Sequence, residues 1–211
     1  MTAMVTVVAV LVLAWFAAGT ILNLRKGSAL LRWMQAGLPL LGERTTVRWL
    51  GTSAVEMVIR EARRPFEQAT VVIFLEPRDV PWIWALSRSR GRRDTLIVRG
   101  RLSSAPRADL EVLERQSWSG RDAQRGLARS EWSVREPAPP GGPAAYYKVS
   151  SALSLADSLA EQARKAGLHP FRLSVRRIDP HFQIHVPIPG AEVSARDFFE
   201  AVRALGERAA S

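Results

Sequence analysis

Apolar and polar residues follow three different patterns along this chain, and the first is an uninterrupted apolar run. Residues 4–23 contain no charged side chain over twenty positions. A helix of that length, at about 1.5 Å per residue, matches the hydrocarbon thickness of about 30 Å of a bilayer. The run therefore predicts a transmembrane anchor within residues 1–26. Two alternatives stay open: a buried core helix of a soluble protein, and a cleaved signal peptide, for which Ala17, Ala18 and Gly19 supply small residues.

Basic residues flank this run on its C-terminal side only. Arg25 and Lys26 follow it directly, and Arg32 lies about two turns further on with Trp33 beside it. Positively charged flanks remain on the cytoplasmic side of a membrane. We therefore expect a single-pass protein of the cell membrane, with its N-terminus outside and residues 45–211 in the cytoplasm.

Residues 27–44 form an amphipathic juxtamembrane segment. Its apolar stripe recurs at helical spacing and consists of Leu30, Leu31, Met34, Leu38 and Leu41. The spacing predicts a helix that Pro39 limits. Such a stripe is typical of a helix along the membrane surface and equally of one that packs on the core of its own domain, so both interpretations stay open.

From residue 45 onward the pattern changes to short runs rich in β-branched and aliphatic residues. These runs predict strands over residues 46–50, 55–59, 69–75, 95–102, 110–113 and 127–134. The third is continuously apolar, as expected of a central strand buried on both faces. We predict a mainly antiparallel β-sheet region over residues 45–136. Within it, residues 117–129 have few apolar side chains and predict a loop or a mobile hairpin.

A Pro/Gly-rich linker, residues 137–143, separates this region from a C-terminal unit, residues 144–211. The pattern of that unit predicts the order β-α-β-β-α, with its last helix capped by Ser194 and Asp197. Its predicted elements are a strand at 146–149, a helix from 152 to 167, strands at 171–175 and 182–188, and a helix after 194. The fold class is therefore α+β. Whether the two regions share one sheet is open.

Composition narrows the classes of function. The chain has 211 residues, no cysteine and a net charge of +10. The absence of cysteine excludes disulfides, thiolate catalysis and metal sites built on cysteine. The basic excess favours an anionic partner such as phospholipid, nucleic acid or an acidic protein surface.

The basic residues concentrate next to two tryptophans, and we assign this set to a surface for an anionic partner. Its members are Trp82, Trp84, Arg88, Arg90, Arg92, Arg93, Arg99 and Arg101. Indole and guanidinium groups suit anionic lipid headgroups at a membrane interface, and both also stack on nucleic-acid bases. The anchor favours lipid, or an acidic protein held near it, over nucleic acid, because electrostatic attraction acts over only about 8 Å at physiological salt. A solvated arginine loop beside tryptophans of the core is the third interpretation.

Apart from this surface, the sequence shows no group of residues with the spacing of a catalytic or metal-binding site. His181, Gln183 and His185 share one face of a predicted strand, but the two imidazoles would lie about 13 Å apart, too far for one metal ion. We expect these three side chains to be exposed polar groups on a sheet. The carboxylates show no catalytic spacing, and arginine neighbours are their expected partners. They are Glu56, Glu61, Glu67, Glu76 and Asp79.

The sequence therefore predicts a non-catalytic binding or scaffolding module on a membrane anchor, such as an accessory subunit of a larger membrane complex. We assign no catalytic, cofactor-binding or metal-ligating residue. A membrane-tethered enzyme built on the scattered carboxylates and an anchored nucleic-acid-binding protein are the alternatives.

Overall fold

The fold was analysed in a computed structural model of the whole chain. It describes residues 1–128, 131–137, 141–190 and 192–211. The first helix, α1 (Thr2–Met34), continues without a break from the predicted anchor into the amphipathic segment. A short 3₁₀ helix, Leu38–Leu40, follows it.

The apolar stripe of the amphipathic segment packs into the domain. Met34 and Leu41 are completely buried, and both belong to the same core as strand and helix residues further along the chain. The apolar stripe of residues 27–44 therefore packs on the core of its own domain, the second of the two interpretations given above.

The described residues contain nine strands, and these form one sheet. In chain order they are β1 (Gly42–Trp49), β2 (Ala54–Ala62), β3 (Phe66–Phe74), β4 (Thr95–Leu102), β5 (Leu110–Leu113), β6 (Ser133–Arg135), β7 (Ala144–Tyr147), β8 (Arg172–Val175) and β9 (Phe182–Pro187). Their order across the sheet is β1-β2-β3-β4-β9-β8-β5-β7-β6, with every neighbouring pair antiparallel. Because β4 pairs with β9, the two regions on either side of the linker share one sheet.

Beyond α1, the described part of the chain contains four further α-helices. They are α2 (Pro81–Ser89), α3 (Trp118–Leu127), α4 (Ala152–Lys165) and α5 (Ala195–Ala210). The order β7, α4, β8, β9, α5 confirms the predicted β-α-β-β-α unit and, with the antiparallel sheet, the α+β fold class. The predicted cap of α5 is present, because Ser194 Oγ accepts a hydrogen bond from the backbone N–H of Asp197 at 3.0 Å.

The loop predicted over residues 117–129 is wrong, because α3 occupies most of it. Ser117 caps this helix through a hydrogen bond that its Oγ accepts from the backbone N–H of Gly120 at 2.9 Å. Ala123 and Leu127 pack α3 onto the sheet. Leu127 is the one large residue among the four buried residues of α3, so its apolar stripe is too weak to be recognised in the sequence, and tertiary packing decides the helix.

The prediction of a strand over residues 127–134 is largely wrong, again because α3 extends into this range. Its first residue ends α3, and the strand itself is the short edge strand β6. Residues 129–130, and residues 138–140 of the predicted linker, lie outside the described residues.

The sheet has one apolar face and one face, called the polar face here, on which charged and polar residues stand among apolar ones such as Val72 and Ile97. Alternate residues such as Val71, Val98 and Ile184 face the core, which α4, α5 and the end of α1 cover. On the opposite face, α3 covers the β5–β7 end of the sheet, whereas Arg99 and its cross-strand neighbour Gln183 lie beyond that cover. This partly open polar face positions one of the two sites described next.

Candidate anchor junction and arginine-lined pocket

The first half of α1 projects its apolar side chains outward. The exposed large apolar residues there are Met4, Val5, Val7, Val8, Val10, Leu11, Val12, Leu13, Trp15 and Phe16. Within the described residues, α1 is the one helix long and apolar enough to cross a membrane.

The second half of α1 docks onto the domain at Gly19 and Asn23. A Cβ atom at Gly19 would lie 2.2 Å from the carbonyl oxygen of Arg78, so only glycine permits this approach. One turn later, Asn23 is completely buried. Its Nδ2 donates to the carbonyl oxygen of Glu76 at 3.1 Å, and its Oδ1 accepts from Arg78 Nη1 at 3.2 Å.

Asp94 ties α1 to the loop after β3. Its carboxylate accepts hydrogen bonds from Lys26 Nζ at 2.5 Å, from both Nη atoms of Arg78 at 3.0 and 2.8 Å, and from the backbone N–H of Glu76 at 2.7 Å. Burial by itself raises the pKa of the Asp94 carboxyl, but the hydrogen bonds from Arg78, Lys26 and Glu76 outweigh it, so the pKa lies below its ordinary value. Asp94 is therefore an ionised, multiply bonded centre of the contact.

Glu76 forms the second acidic centre and holds α2. The Trp84 indole N–H donates to Glu76 Oε2 at 2.6 Å, and Arg88 Nη1 donates to the same carboxylate at 3.2 Å. Trp84 also packs on Trp15 of α1, with ring centroids 6.1 Å apart, while Trp15 Nε1 donates to the carbonyl oxygen of Arg78 at 2.9 Å. We call this whole set the anchor junction. Its residues are Trp15, Gly19, Asn23, Lys26, Glu76, Arg78, Trp84, Arg88 and Asp94.

The outer side of α2 carries apolar residues that the domain does not cover. Trp82, Ile83 and Leu86 are all exposed, Trp82 to 62%. Because Trp84 fixes α2 against α1, this apolar surface lies beside the point where α1 enters the domain. We call these three residues the α2 apolar surface.

The predicted anchor flank divides between solvent and the domain. Arg25 and Arg32 are exposed. Lys26 belongs to the anchor junction, as described above. Trp33 packs against Phe198 and Phe199 of α5, with ring centroids 5.7 and 6.4 Å away, and donates from Nε1 to the carbonyl oxygen of Val193 at 2.9 Å.

The predicted anionic-partner surface is likewise divided. Trp84 and Arg88 lie in the anchor junction, and Trp82 lies on the α2 apolar surface. Arg101 forms an ion pair with Glu67 at 3.2 Å, and the exposed Arg90 accepts a hydrogen bond at its carbonyl from Arg121. The remaining members, Arg92, Arg93 and Arg99, come together at a pocket on the polar face of the sheet.

This arginine-lined pocket has a volume of about 270 Å³. A fourth guanidinium, that of Arg172 on β8, joins the three from the predicted surface. Ser119, Gln183 and His185 add neutral polar groups to the lining, Phe74, Trp118 and Phe171 add aromatic ones, and Asp122 is its carboxylate. The lining therefore holds four guanidiniums and one carboxylate, and of the four guanidiniums Arg172 is paired with the buried Glu111.

His185 lies inside the pocket wall, so the expectation that it is an exposed group is wrong. It is 8% exposed, and its Nδ1 lies 2.5 Å from Ser119 Oγ. Burial, together with the positive charges of Arg172 and Arg99, lowers the pKa of His185 to about 3. The imidazole is therefore neutral at physiological pH and adds no positive charge to the pocket. His181 instead accepts a hydrogen bond at Nδ1 from the backbone N–H of Leu102 at 3.2 Å.

The contact between Ser119 and His185 resembles part of a catalytic triad but lacks its third member. Gln183, not a carboxylate, contacts the other imidazole nitrogen. An imidazole with so low a pKa is also a weak general base. In the described portion of the chain, no group of three His, Asp or Glu side chains could hold a metal ion.

Most of the carboxylates singled out in the sequence have the arginine partners expected of them. The pairs are Glu56 with Arg48 at 2.7 Å, Glu61 with Arg44 at 3.0 Å, Glu67 with Arg101 at 3.2 Å and Glu76 with Arg88 at 3.2 Å. Asp79 instead accepts a hydrogen bond from Thr52 Oγ1 at 2.7 Å.

Sequence reasoning missed the residues that complete both sites. Arg78 and Asp94 meet Asn23 only in the folded structure, although an asparagine inside an otherwise apolar run signals a polar contact. Arg172 and Ser119 reach the pocket from elements distant along the chain. The alternation of Arg172 with apolar neighbours places it on the polar face, but nothing local identifies its companions.

Comparison with known protein families finds no family model that matches this chain, and comparison with curated proteins finds no match either.

Proposed function

We propose that this protein is a single-pass membrane protein whose α1 helix anchors a cytoplasmic binding module. The module would act as an accessory subunit of a membrane complex and present basic surface to anionic lipid headgroups or to an acidic face of a protein partner. The observation that carries the proposal is the division of α1: its first half exposes apolar side chains, and its second half is built into the domain.

The length of the exposed part suits a bilayer. On the side of α1 that faces away from the domain, Ile21, Leu22 and Leu24 extend the exposed apolar surface to the start of the basic flank. Residues 2–14, ahead of the first contact with the domain, extend about 20 Å as a helix, and the outward-facing residues carry the apolar surface on to residue 24, about 34 Å in all, compared with about 30 Å of hydrocarbon. Membrane insertion would cover this surface, which water disfavours.

The anchor junction supports a retained anchor over a cleaved signal peptide. Trp15 donates a hydrogen bond to Arg78 and packs on Trp84, so a residue ahead of the small-residue stretch at residues 17–19 takes part in the folded domain. Cleavage after that stretch would remove Trp15 and leave the domain contact incomplete.

The α2 apolar surface supports a close approach of the domain to the membrane. Trp82, Ile83 and Leu86 lie on the helix that Trp84 packs against Trp15 of α1, at the level where the domain begins to cover one side of α1. The bilayer interface would lie at this level. Tryptophan favours this interface, and apolar residues on a short amphipathic helix gain by partial burial among headgroups. Exposed Arg90, on the loop that follows α2, would then lie within reach of anionic lipid.

The basic flank supports the orientation. Arg25, Lys26 and Arg32 all lie on the domain side of the apolar run, and positive charges favour the cytoplasmic side. Proximity of the basic residues to the bilayer favours lipid and membrane-protein partners over free nucleic acid.

Two measurements on the native full chain test the proposal. Isolated membranes are extracted at alkaline pH, and the intact mass of the retained chain is determined. We expect the chain to stay with the membrane and its mass to show that residues 1–18 are retained. Release into the alkaline supernatant, or a mature chain that begins near Gly19, would contradict the anchor. Mass spectrometry of what copurifies with the detergent-extracted chain then identifies the partner class.

A further inference from the structure

The arginine-lined pocket has features of a ligand site that the membrane anchor does not explain. We propose that this pocket binds a phosphate ester, whose phosphate group is held by Arg92, Arg93, Arg99 and Arg172. The inference concerns the domain alone and does not depend on the topology of α1.

The positive charge of the pocket favours binding of an anion. Among the described residues, Arg92, Arg93 and Arg99 form no ion pair with a carboxylate. Asp122 is the carboxylate of the lining, and it lies 3.6 Å from Arg125, which does not itself line the pocket. By contrast, Arg101, on the same strand β4 as Arg99 but outside the pocket, forms an ion pair with Glu67. Like charges gathered in a concave site repel one another, and a bound anion relieves that repulsion.

Several of the guanidiniums are held in place before any ligand arrives. Arg172 donates through Nε and Nη2 to the completely buried Glu111, both at 2.8 Å. Arg93 Nη1 donates to the carbonyl oxygens of Arg88 and Arg92 at 2.9 and 2.8 Å. A ligand that binds such fixed groups loses less conformational entropy than one that must order flexible side chains.

Arg92 and the floor of the pocket complete this arrangement. The guanidinium of Arg92 lies over the Trp118 ring, 5.6 Å from its centroid. Beneath the arginines, Ser119 and His185 are more than nine-tenths buried and in contact with each other. The pocket is thus a built polar site and not a patch of unattached surface charges.

Phosphate is the anion that fits this arrangement best. A phosphate ester carries up to two charges and three acceptor oxygens, so it can accept hydrogen bonds from several guanidiniums at once, whereas a carboxylate has two oxygens. The volume of about 270 Å³ limits the ligand to a small molecule or a headgroup. The aromatic wall of Phe74, Trp118 and Phe171 suits the organic part of the ester. A soluble phosphorylated metabolite and a lipid with a phosphate monoester headgroup share this chemistry.

The test uses the full chain in a neutral detergent and calorimetry at constant ionic strength. One arm titrates inorganic phosphate and glycerol 3-phosphate, and the other titrates short-chain phosphatidic acid against short-chain phosphatidylglycerol. The informative variant is Arg99→Gln, with Arg101→Gln as the matched control on the same strand and outside the pocket. Arg93→Gln serves as a second pocket variant, and circular dichroism checks that each variant folds.

We expect saturable binding in at least one arm, weakened about tenfold or more by Arg99→Gln and by Arg93→Gln, and unchanged by Arg101→Gln. Binding in the soluble arm identifies a metabolite site, and binding confined to phosphatidic acid identifies a headgroup site. Absence of saturable binding in both arms overturns the proposal. So does equal weakening by the pocket variants and the control, since that result reports only net charge.

Discussion

Asn23 of the apolar helix α1 is hydrogen-bonded to Arg78 of the loop after β3: its Oδ1 accepts from Arg78 Nη1 at 3.2 Å. This contact joins the run expected to cross the membrane to a loop of the soluble domain. Because Arg78 also pairs with Asp94, and Asp94 with Lys26, the connection is a network and not a single bond. Helix α1 and the domain therefore form one continuous structure.

Close packing at Gly19 should be essential to that connection. Gly19→Val places a side chain where the carbonyl of Arg78 lies, and we expect a loss of about 1–3 kcal/mol in the free energy of unfolding. Ala18→Val, on the exposed side of the same helix, is the control and should be neutral. Thermal unfolding of the full chain in detergent measures both. Hydrogen exchange at the backbone amides of Glu76 and Arg78 should rise in Gly19→Val alone. Protection equal to that of the wild type would show that this contact is not formed.

Asp94 should stabilise the domain in a pH-dependent way. Its pKa is lower in the folded state than in the unfolded chain, so the stabilisation is present above pH 4 and is lost as the pH falls further. We expect Asp94→Asn to cost at least about 2 kcal/mol at pH 7. The difference from the wild type should shrink in acid.

The control for this measurement is Asp122→Asn, whose exposed carboxylate lies 3.6 Å from the exposed Arg125. We expect a change of less than about 0.5 kcal/mol from it. Denaturant titrations of the wild type and both variants at pH 7 and pH 3.5 give the six values needed. A gap between Asp94→Asn and the wild type that is constant with pH would contradict the assignment.

His185 should make the domain less stable below pH 6.5. Its pKa of about 3 in the folded state lies below that of the unfolded chain, so the unfolded state binds an additional proton as the pH falls. Between pH 7 and pH 4.5 this linkage costs about 2.5 kcal/mol. In His185→Asn that share of the pH dependence should vanish. Denaturant titrations across this range test it, and an unchanged slope in the variant would place the pH dependence elsewhere.

The α2 apolar surface should contact lipid. The chain contains no cysteine, so single-cysteine variants can carry a spin label at chosen sites. In reconstituted bilayers, a label at Leu86→Cys should be more accessible to oxygen, which concentrates in lipid, than to a water-soluble relaxing agent. Ile178→Cys is the matched control, since Ile178 is an exposed apolar residue in the β8–β9 turn. Water-like accessibility at both sites would remove α2 from the interface.

The sequence patterns predicted most of the fold because most elements have local signals. β4 and β5 occupy the residues expected of them, since charged residues bound their apolar runs, Asp94 and Arg99 for β4 and Asp109 and Glu114 for β5. α3 was missed because three of its four buried residues, Ser119, Gly120 and Ala123, have little apolar area, and the fourth, Leu127, gives no stripe by itself. Its stability depends on Leu113 and Tyr146, which only the fold brings near.

The sites were harder to predict than the fold, because each one combines distant parts of the chain. The arginines after Trp84 lie in one short segment of the sequence. Arg88 nevertheless pairs with Glu76, whereas Arg99 lines the pocket on the polar face of the sheet. That division depends on where α2 ends and β4 begins. Charge counting identified a basic segment but could not separate its two environments.

The orientation of the anchor is tested most directly with a membrane-impermeant thiol reagent on intact cells. Two single-cysteine variants of the full chain are compared, Thr2→Cys at the start of α1 and Ile178→Cys in the domain. We predict that Thr2→Cys is labelled in intact cells and that Ile178→Cys is labelled only after the membrane is permeabilised. Labelling of Ile178→Cys in intact cells would contradict the account, because it would place the domain outside the cytoplasm.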